Sequence, residues 1–309
     1  MSDYHVPVLA DEVVKLLEPA PSDIVVDCTA GGGGHALFLA DRLDSTGALV
    51  AIDQDPAALV ATRQKLQNAL PKVVVVQSNM RRLAALLDSV GVDRVNRILL
   101  DLGVSSHQFD DPGRGFSFRF DAPLDMRMNP AEGQSARELL ANSSERELTR
   151  IIREYGEEPW AARIAKLIKN ARIPIDTTGA LSEIVKSAIP KRVWPRDINP
   201  ATKTFQALRI AVNDELGALR EALEQGIERL AVGGRIAVIS YHSLEDRIVK
   251  QTFLRYSGRC QCPPQLPECR CGAVKQVEIV TRKPIGPDAA EIATNPRARS
   301  AKLRVAQRV

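Results

Sequence analysis

The chain has 309 residues, of which 44% are hydrophobic and 26% charged, and its formal net charge is +4. This is an ordinary globular composition, and the length predicts about two domains, or one domain with a large insertion. The mild positive charge permits a nucleic-acid partner but does not require one. No apolar run is long enough to cross a bilayer and we see no signal peptide, so we expect a cytoplasmic protein with no membrane partner.

The first predicted strand leads into four consecutive glycines. The β-branched run 24–26 indicates a buried parallel strand that ends on Asp27, and glycines 31–34 are followed by a helical apolar pattern. Such a turn directs backbone N–H groups and a positive helix end at one spot. The Asp-x-x-x-Gly-x-Gly spacing from Asp27 to Gly33 is typical of an S-adenosylmethionine site. The same glycines also match the Gly-x-Gly-x-x-Ala dinucleotide fingerprint, and a turn without any ligand is the bland alternative.

Two further predicted strands, the second and the fourth, also end on an aspartate. Ligands in open α/β sheets bind at the carboxyl ends of strands, so we expect Asp27, Asp53 and Asp101 to share one cleft. Asp53 stands where an acid can bind the hydroxyl pair of a ribose. Each aspartate taken alone could instead cap a helix.

Residues 102–129 lack a clear periodicity and are rich in Gly, Pro, Asp and Arg. Four of the seven phenylalanines of the chain fall in this segment, interleaved with arginines: Phe109, Phe116, Phe118 and Phe120. A long irregular loop in a compact domain is usually functional, and aromatics that alternate with arginines suit stacking on bases and holding phosphates. The alternative is a loop that packs its phenylalanines beneath itself.

The middle of the chain is helical. Residues 134–202 show no strand pattern and predict an insertion between strands four and five. The lysines and arginines of this insertion could bind phosphates, although a charge series on helices is usually a solvated face. One long helix is predicted over 205–230. His242 follows the fifth strand and could line the cleft, but a lone histidine is more often structural.

Five stretches in combination go beyond a generic motif. They are Thr29-Ala30-Gly31-Gly32-Gly33-Gly34-His35, Asp101-Leu102-Gly103-Val104-Ser105-Ser106, residues 113–118 with 123–128, His242-Ser243-Leu244-Glu245-Asp246-Arg247, and Asn295-Pro296-Arg297-Ala298-Arg299-Ser300. On these motifs the sequence closely resembles the MraW/RsmH family of S-adenosylmethionine-dependent methyltransferases, over nearly the whole chain. The resemblance implies methylation of the exocyclic N4 of a cytosine in the decoding region of 16S small-subunit ribosomal RNA, either as RNA or within the 30S subunit.

The resemblance also implies the residues of the site. Those that would bind the cofactor are Gly33, Gly34, His35, Asp53, Met80, Asp101 and Gln108. Met80 stands where the family usually has an aromatic residue beside the adenine, and His107 stands where it has proline. We take Asp101 as the first candidate to accept a hydrogen bond at the reacting end and Ser105 as the residue that positions the base, so these two are the catalytic candidates.

We predict a class I methyltransferase fold, a Rossmann-like sheet of seven strands in the order three-two-one-four-five-seven-six with the last strand antiparallel. The strands expected from the sequence are residues 24–27, 48–53, 73–77, 97–101, 233–241, 274–281 and 301–309. Residues 1–133 and 203–309 would form the discontinuous cofactor domain, and residues 134–202 a helical insertion that binds the RNA substrate.

The cysteines form a separate question. Four of them make two Cys-x-Cys pairs, namely Cys260, Cys262, Cys269 and Cys271. Four thiolates in a reducing compartment suit a structural zinc ion, and the alternative is four reduced thiols, or a disulfide under oxidising conditions. Cys28 is expected to be a packed thiol, and no metal is expected in the chemistry.

Two other functions stay open at this point. A nicotinamide-dependent oxidoreductase would use the same glycine loop. A non-catalytic RNA-binding ribosome-assembly factor would keep the pocket without the reaction.

Overall fold

The computed structural model describes residues 7–195, 198–260, 262 and 272–309. The strands are β1 Ile24–Asp27, β2 Ala48–Asp53, β3 Lys72–Gln77, β4 Val95–Asp101, β5 Leu230–Ser240, β6 Val277–Ile279 and β7 Lys302–Arg308. The helices are α1 Ala10–Leu17, α2 Gly34–Ala40, α3 Pro56–Lys65, α4 Leu83–Ser89, α5 Ser106–Asp110, α6 Ala136–Asn142, α7 Glu145–Gly156, α8 Ala161–Lys169, α9 Thr178–Ala188, α10 Thr202–Asn213, α11 Glu215–Arg229, α12 Ser243–Tyr256 and α13 Ala289–Thr294. No helix in these ranges combines the length and the apolar character needed to cross a membrane.

The chain folds into two compact units. The first consists of the residues up to Gly103 together with Leu216–Val309, and the second of Val104–Glu215. The second unit is wider than the predicted insertion 134–202, because Phe116 and Leu124 of the preceding irregular segment belong to the same buried core as α6–α10. The role of the insertion in binding RNA stays a prediction.

The seven strands of the first unit form one sheet in the order β3-β2-β1-β4-β5-β7-β6, so the predicted order is confirmed. The strands from β3 to β5 run parallel, and β7 is antiparallel to both β5 and β6. In the centre of the sheet Asp27 of β1 is in register with Leu99 of β4. The carboxyl ends of β1, β2 and β4 therefore lie side by side at one edge.

Apolar side chains cover both faces of this sheet. Val25, Leu49 and Leu99 belong to a core that they share with α1 and α2. On the opposite face a Cβ added to Gly226 of α11 would lie 3.4 Å from the Cδ1 atom of Ile98 and 3.2 Å from that of Ile236. Successive strand residues point to opposite faces, which accounts for the near-continuous hydrophobic runs of β1, β2 and β4.

Three predicted elements have different bounds in the structure, and the first of them is the sixth strand, which was predicted over 274–281 and covers only Val277–Ile279. The helix predicted over 205–230 is divided at Asp214, which has a left-handed φ of 44° and ends α10. The fifth strand begins at Leu230 rather than after a glycine turn, and the pairing of β4 with β5 shifts register between Leu230 and Arg235. Gly233, with φ of 79°, lies in this irregularity, so the glycines bend a strand that continues through them.

Candidate active site

Three aspartates end the neighbouring strands β2, β1 and β4. Asp27 is fully buried, whereas Asp101 keeps 23% of its side chain exposed. Each contacts the loop or helix that follows β1: Asp27 accepts from the Thr29 N–H, Asp53 accepts from the Gly31 N–H, and Asp101 lies beside His35. The first unit thus places a set of carboxylates at the edge where ligands of open α/β sheets bind.

The glycine loop is held by the tip of β2 and by α3. The Gly31 N–H donates to Oδ2 of Asp53 at 2.8 Å, and the Thr62 hydroxyl donates to the Gly31 carbonyl oxygen at 2.8 Å. Gly33 has φ of 75°, and a Cβ at this position would lie 3.1 Å from the Thr62 Cα. Glycine is therefore required at Gly33 by both backbone conformation and space.

Asp101 lies in a cluster of polar side chains. The Tyr241 hydroxyl donates to Oδ1 of Asp101 at 2.8 Å, and the Asp101 N–H donates to the Thr29 hydroxyl at 2.6 Å. Nε2 of His35 lies 3.4 Å from Oδ2 of Asp101 but forms no hydrogen bond there, so this contact is one of charge. The carboxylate is oriented from two sides, and its remaining lone pairs can accept further donors.

Tyr241 was not among the residues singled out from the sequence. It directly follows β5, the strand beside β4, and its hydroxyl orients the Asp101 carboxylate. The available signal was its position at a strand tip, the same argument that selected the aspartates.

Burial is the largest influence on the pKa values of the side chains in this cluster. It raises the pKa of Asp27 to about 7 and that of Asp53 to about 6, although backbone N–H groups favour both charged forms. Burial alone would lower the pKa of His35, but the Asp101 and Asp27 carboxylates together raise it. The pKa of Tyr241 is raised well above its usual value by burial and by Asp101, so its hydroxyl remains a donor.

The predicted site residues divide between the two units. Gly33, Gly34, His35, Asp53, Met80 and Asp101 lie in the first unit. Met80 is partly exposed and begins a short 3-10 helix after β3, where Asn79 caps it. This is the end of the strand beside β2, at the same edge as Asp53.

Ser105 and Gln108 lie in the second unit. Ser105 caps α5: its Oγ accepts from the Gln108 N–H at 3.2 Å, and Oε1 of Gln108 accepts from the Ser105 N–H at 3.0 Å. Gln108 is 4% exposed. The turn forms a full capping box with His107 in place of the family's proline.

His242 has a structural role, as the sequence reading favoured. It is the N-cap of α12 and forms a capping box with Glu245, whose Oε1 lies 3.1 Å from Nε2 of His242. Asp246, one residue further along α12, accepts from Nε of Arg304 at 2.6 Å.

The phenylalanines of the irregular segment have different surroundings. Phe116 is 6% exposed in the core of the second unit, and Phe118 packs edge-on against Phe205 with ring centroids 5.2 Å apart. The Arg119 guanidinium lies 5.5 Å from the Phe109 ring centroid. Phe120 is 51% exposed and is the member of the set available to a base.

Cysteines are absent from the described edge of the sheet except for Cys28, which is 2% exposed and whose pKa is raised by burial. It is the packed thiol that the sequence predicted. Further along the chain, after α12, the Cys262 N–H donates to the Cys260 sulfur at 3.4 Å. Cys269 and Cys271 lie outside the described residues.

The strand order and the glycine loop after β1 define the class I methyltransferase fold. Within that class the chain belongs to the MraW methylase family, whose model matches residues 2–309. The family predicted from the sequence motifs is confirmed.

The chain is similar to curated proteins over its full length. The protein named Ribosomal RNA small subunit methyltransferase H of Geobacter sulfurreducens is 50% identical over 311 residues, covering 100% of both chains. The protein of the same name from Heliobacterium modesticaldum is 49% identical over 309 residues and 99% of each chain. Among solved structures, a rRNA methylase from Streptococcus thermophilus is 12% identical, covers 97% of this chain and 93% of its own, and gives a TM-score of 0.42.

Proposed function

We propose that the chain transfers a methyl group from S-adenosylmethionine to the exocyclic N4 of a cytosine in the decoding region of 16S small-subunit ribosomal RNA. The observation that carries the proposal is the Asp101 carboxylate, oriented by Tyr241 and faced by His35 beside the glycine loop, in a chain of the MraW methylase family. The full-length similarity to proteins named as ribosomal RNA small subunit methyltransferases supports the RNA acceptor.

The residues at this edge fit the cofactor. Asp53 uses one lone pair of each oxygen for the Gly31 and Asp55 N–H groups, so both oxygens can still accept from ribose hydroxyls. Oδ2 of Asp27 is buried without a hydrogen-bond partner among the described residues, as expected beside a polar ligand. Gly33 and Gly34 would let the ligand approach the main chain, and Met80 would pack against the adenine.

S-adenosylmethionine supplies an electrophilic methyl group on a sulfonium. Cytosine N4 is a poor nucleophile because its lone pair is delocalised into the ring. The protein therefore has to align the N4 amino group with the methyl group and to accept hydrogen bonds from the amino hydrogens. Alignment is worth up to about 7–11 kcal/mol in favourable cases, so a strong base is not essential. Asp101 is the acceptor we propose, although it could serve only to hold the amino group of the cofactor. Tyr241 is its positioning residue.

No covalent enzyme intermediate is part of this reaction. A nucleophilic cysteine works as its thiolate. Cys28 is 2% exposed, and burial raises the pKa of its thiol, so it does not offer one.

The second unit is the part we propose for RNA positioning. By the family resemblance, Ser105 would position the base and Gln108 would contribute to cofactor binding. Phe120 offers an exposed ring on which a base can stack, and the target base must leave its helical stack to be reached. The helical insertion 134–202 would hold flanking phosphates.

The test is methyl transfer to defined acceptors. The protein and methyl-labelled S-adenosylmethionine are incubated with unmodified 30S subunits and, separately, with naked 16S RNA, which are then digested to nucleosides. We expect the label on N4-methylcytidine. The Tyr241→Phe variant should transfer methyl more slowly with little change in cofactor affinity by calorimetry, because only the orienting hydroxyl is removed.

Each alternative gives a different result. Label on C5 of cytosine, or on protein alone, contradicts the proposed acceptor. Tight NAD binding without S-adenosylmethionine binding indicates the oxidoreductase. RNA binding with no methyl transfer to any acceptor indicates the assembly factor.

A further inference from the structure

A basic groove lies on the first unit between the second half of α12 and the edge strand β6. It encloses about 610 Å³ and is lined by both elements and by the segments that follow them. The described residues that carry charge in its lining are Lys250, Arg259, Lys275, Glu278, Arg282 and Arg304. Phe253, Val277 and Ile279 are among the apolar residues of the lining.

The groove is separate from the candidate active site. Ile279, the last residue of β6, is level with Ala306 of β7 and through it with Ile236 of β5. Asp101 is instead in register with Ile239. β5 and β7 lie between β4 and β6 in the sheet, so β6 is three strand spacings, about 14 Å, from the strand that carries Asp101.

The charge of the groove is strongly unbalanced. Arg304 is 8% exposed and is neutralised by Asp246, and Lys275 has Glu278 at 3.9 Å. Lys250, Arg259 and Arg282 are exposed, and no hydrogen bond or ion pair joins their side chains to a described residue. This leaves three cations around one opening with no counter-charge among the described residues.

These features specify the chemistry of the ligand. Lysine and arginine carry no lone pair for a metal ion at neutral pH, so the groove selects anions. Three separated cations around a cavity much larger than one phosphate suit a chain of phosphates. An RNA backbone provides this arrangement and binds through such contacts without reading sequence.

We propose that this groove binds the sugar–phosphate backbone of the substrate RNA at a distance from the methylated base. The inference rests on the proposed RNA acceptor and adds a second contact surface. Contacts of this kind set the register and orientation of the nucleic acid and leave base selection to the active site.

The test is the salt dependence of RNA binding. A fluorescent fragment of the 16S decoding region is titrated with the full chain at several salt concentrations, with fluorescence anisotropy as the readout. The variant Lys250→Gln/Arg259→Gln/Arg282→Gln is compared with Lys15→Gln/Arg42→Gln/Lys72→Gln. The control removes three exposed cations of the same unit that lie outside the groove.

We expect the groove variant to flatten the slope of log affinity against log salt by about 2–3, since each phosphate contact contributes about 0.7–0.9. Its affinity should fall at least about tenfold at low salt, for all RNA sequences alike. The control should keep the wild-type slope. An unchanged thermal midpoint for both variants shows that any loss is not one of folding.

Three results would contradict the proposal that the groove binds the RNA backbone. The first is a groove variant that keeps the wild-type slope while the wild type binds and methylates RNA, in which case the proposed function stands alone. The second is weaker binding to assembled subunits with unchanged binding to RNA, which indicates a protein partner. The third is a groove variant that binds inorganic phosphate differently from the wild type in calorimetry but keeps the wild-type slope of log RNA affinity against log salt. This result indicates that the groove binds a small anion. A wild-type chain that binds neither the RNA fragment nor the 30S subunit contradicts the proposed function, and the proposed role of the groove is then contradicted as well.

Discussion

Asp27 illustrates how position in the fold changes the chemistry of one residue. It ends β1 with its side chain fully buried, and only one of its oxygens has a hydrogen-bond partner among the described residues. Burial raises its pKa to about 7, even though the neighbouring His35 favours the charged form. The folded protein therefore holds a proton on Asp27 that the unfolded chain releases near pH 4.

This difference predicts how stability depends on pH. Between about pH 4 and pH 7 the native state binds the extra proton, so the free energy of unfolding falls as the pH rises through this window. Between the ordinary pKa of an aspartate, 3.8, and about 7 this loss of stability reaches about 4 kcal/mol, at about 1.36 kcal/mol per pKa unit. Asp53 and His35, whose pKa values are also raised, act with the same sign.

The variant Asp27→Asn should flatten this dependence, because the amide has the shape of the carboxyl group but does not titrate. Chemical unfolding at several pH values between about 4 and 8 gives the free energies. Asp41→Asn, at an exposed position, is the control and should keep the wild-type slope. Equal slopes for Asp27→Asn and the wild type would show that the buried carboxyl does not hold the proton.

At the scale of elements, the irregular segment after β4 combines packing and exposure. Phe116 is 6% exposed within the core of the second unit, and Phe120, four residues later, is 51% exposed. The sequence alone offered both readings for every phenylalanine of the segment. The structure supports packing for Phe116 and leaves base stacking as a proposal for Phe120.

Alanine substitutions separate these two roles. Phe116→Ala should lower the free energy of unfolding by about 3–5 kcal/mol, because it opens a cavity in a packed core. Phe120→Ala should leave the thermal midpoint nearly unchanged and weaken RNA binding by about 1–3 kcal/mol through the loss of one stacked base. Circular dichroism melting and RNA anisotropy measure the two effects. If Phe120→Ala destabilises the fold as much as Phe116→Ala and leaves RNA affinity intact, the assignment is reversed.

At the scale of the whole molecule, the two Cys-x-Cys pairs are candidate ligands of a zinc ion that would stabilise the fold. Cys260 and Cys262 follow α12 closely in the chain, and their partners Cys269 and Cys271 lie outside the described residues. A tetrahedral zinc ion bound by the four thiolates would link the first Cys-x-Cys pair to the second.

If the four thiolates hold zinc, elemental analysis gives about one zinc ion per purified chain. Cys260→Ser should release it, because one of four thiolate ligands is lost. Cys28→Ala is the control and should retain the metal, since this thiol is buried after β1. Zinc well below one per wild-type chain would leave four reduced thiols as the correct reading.

Local sequence patterns predict most strands of the sheet and the edge of the sheet that carries the candidate site. The β-branched runs, the glycines after Asp27 and the aspartates at the strand ends are local patterns, and local patterns specify single elements and their ends. The family motifs then supplied the strand order, which the sheet confirms.

Contacts between side chains that are distant in the sequence depend on the tertiary structure. The Tyr241 hydroxyl reaches Asp101 across 140 positions of sequence, and Lys250 and Arg282 line one groove because α12 packs beside β6. The tertiary structure also shows that Asp214 divides a helical pattern and that Phe120, unlike Phe116, is exposed. These outcomes depend on packing between distant segments, which the periodicity of a single segment does not record.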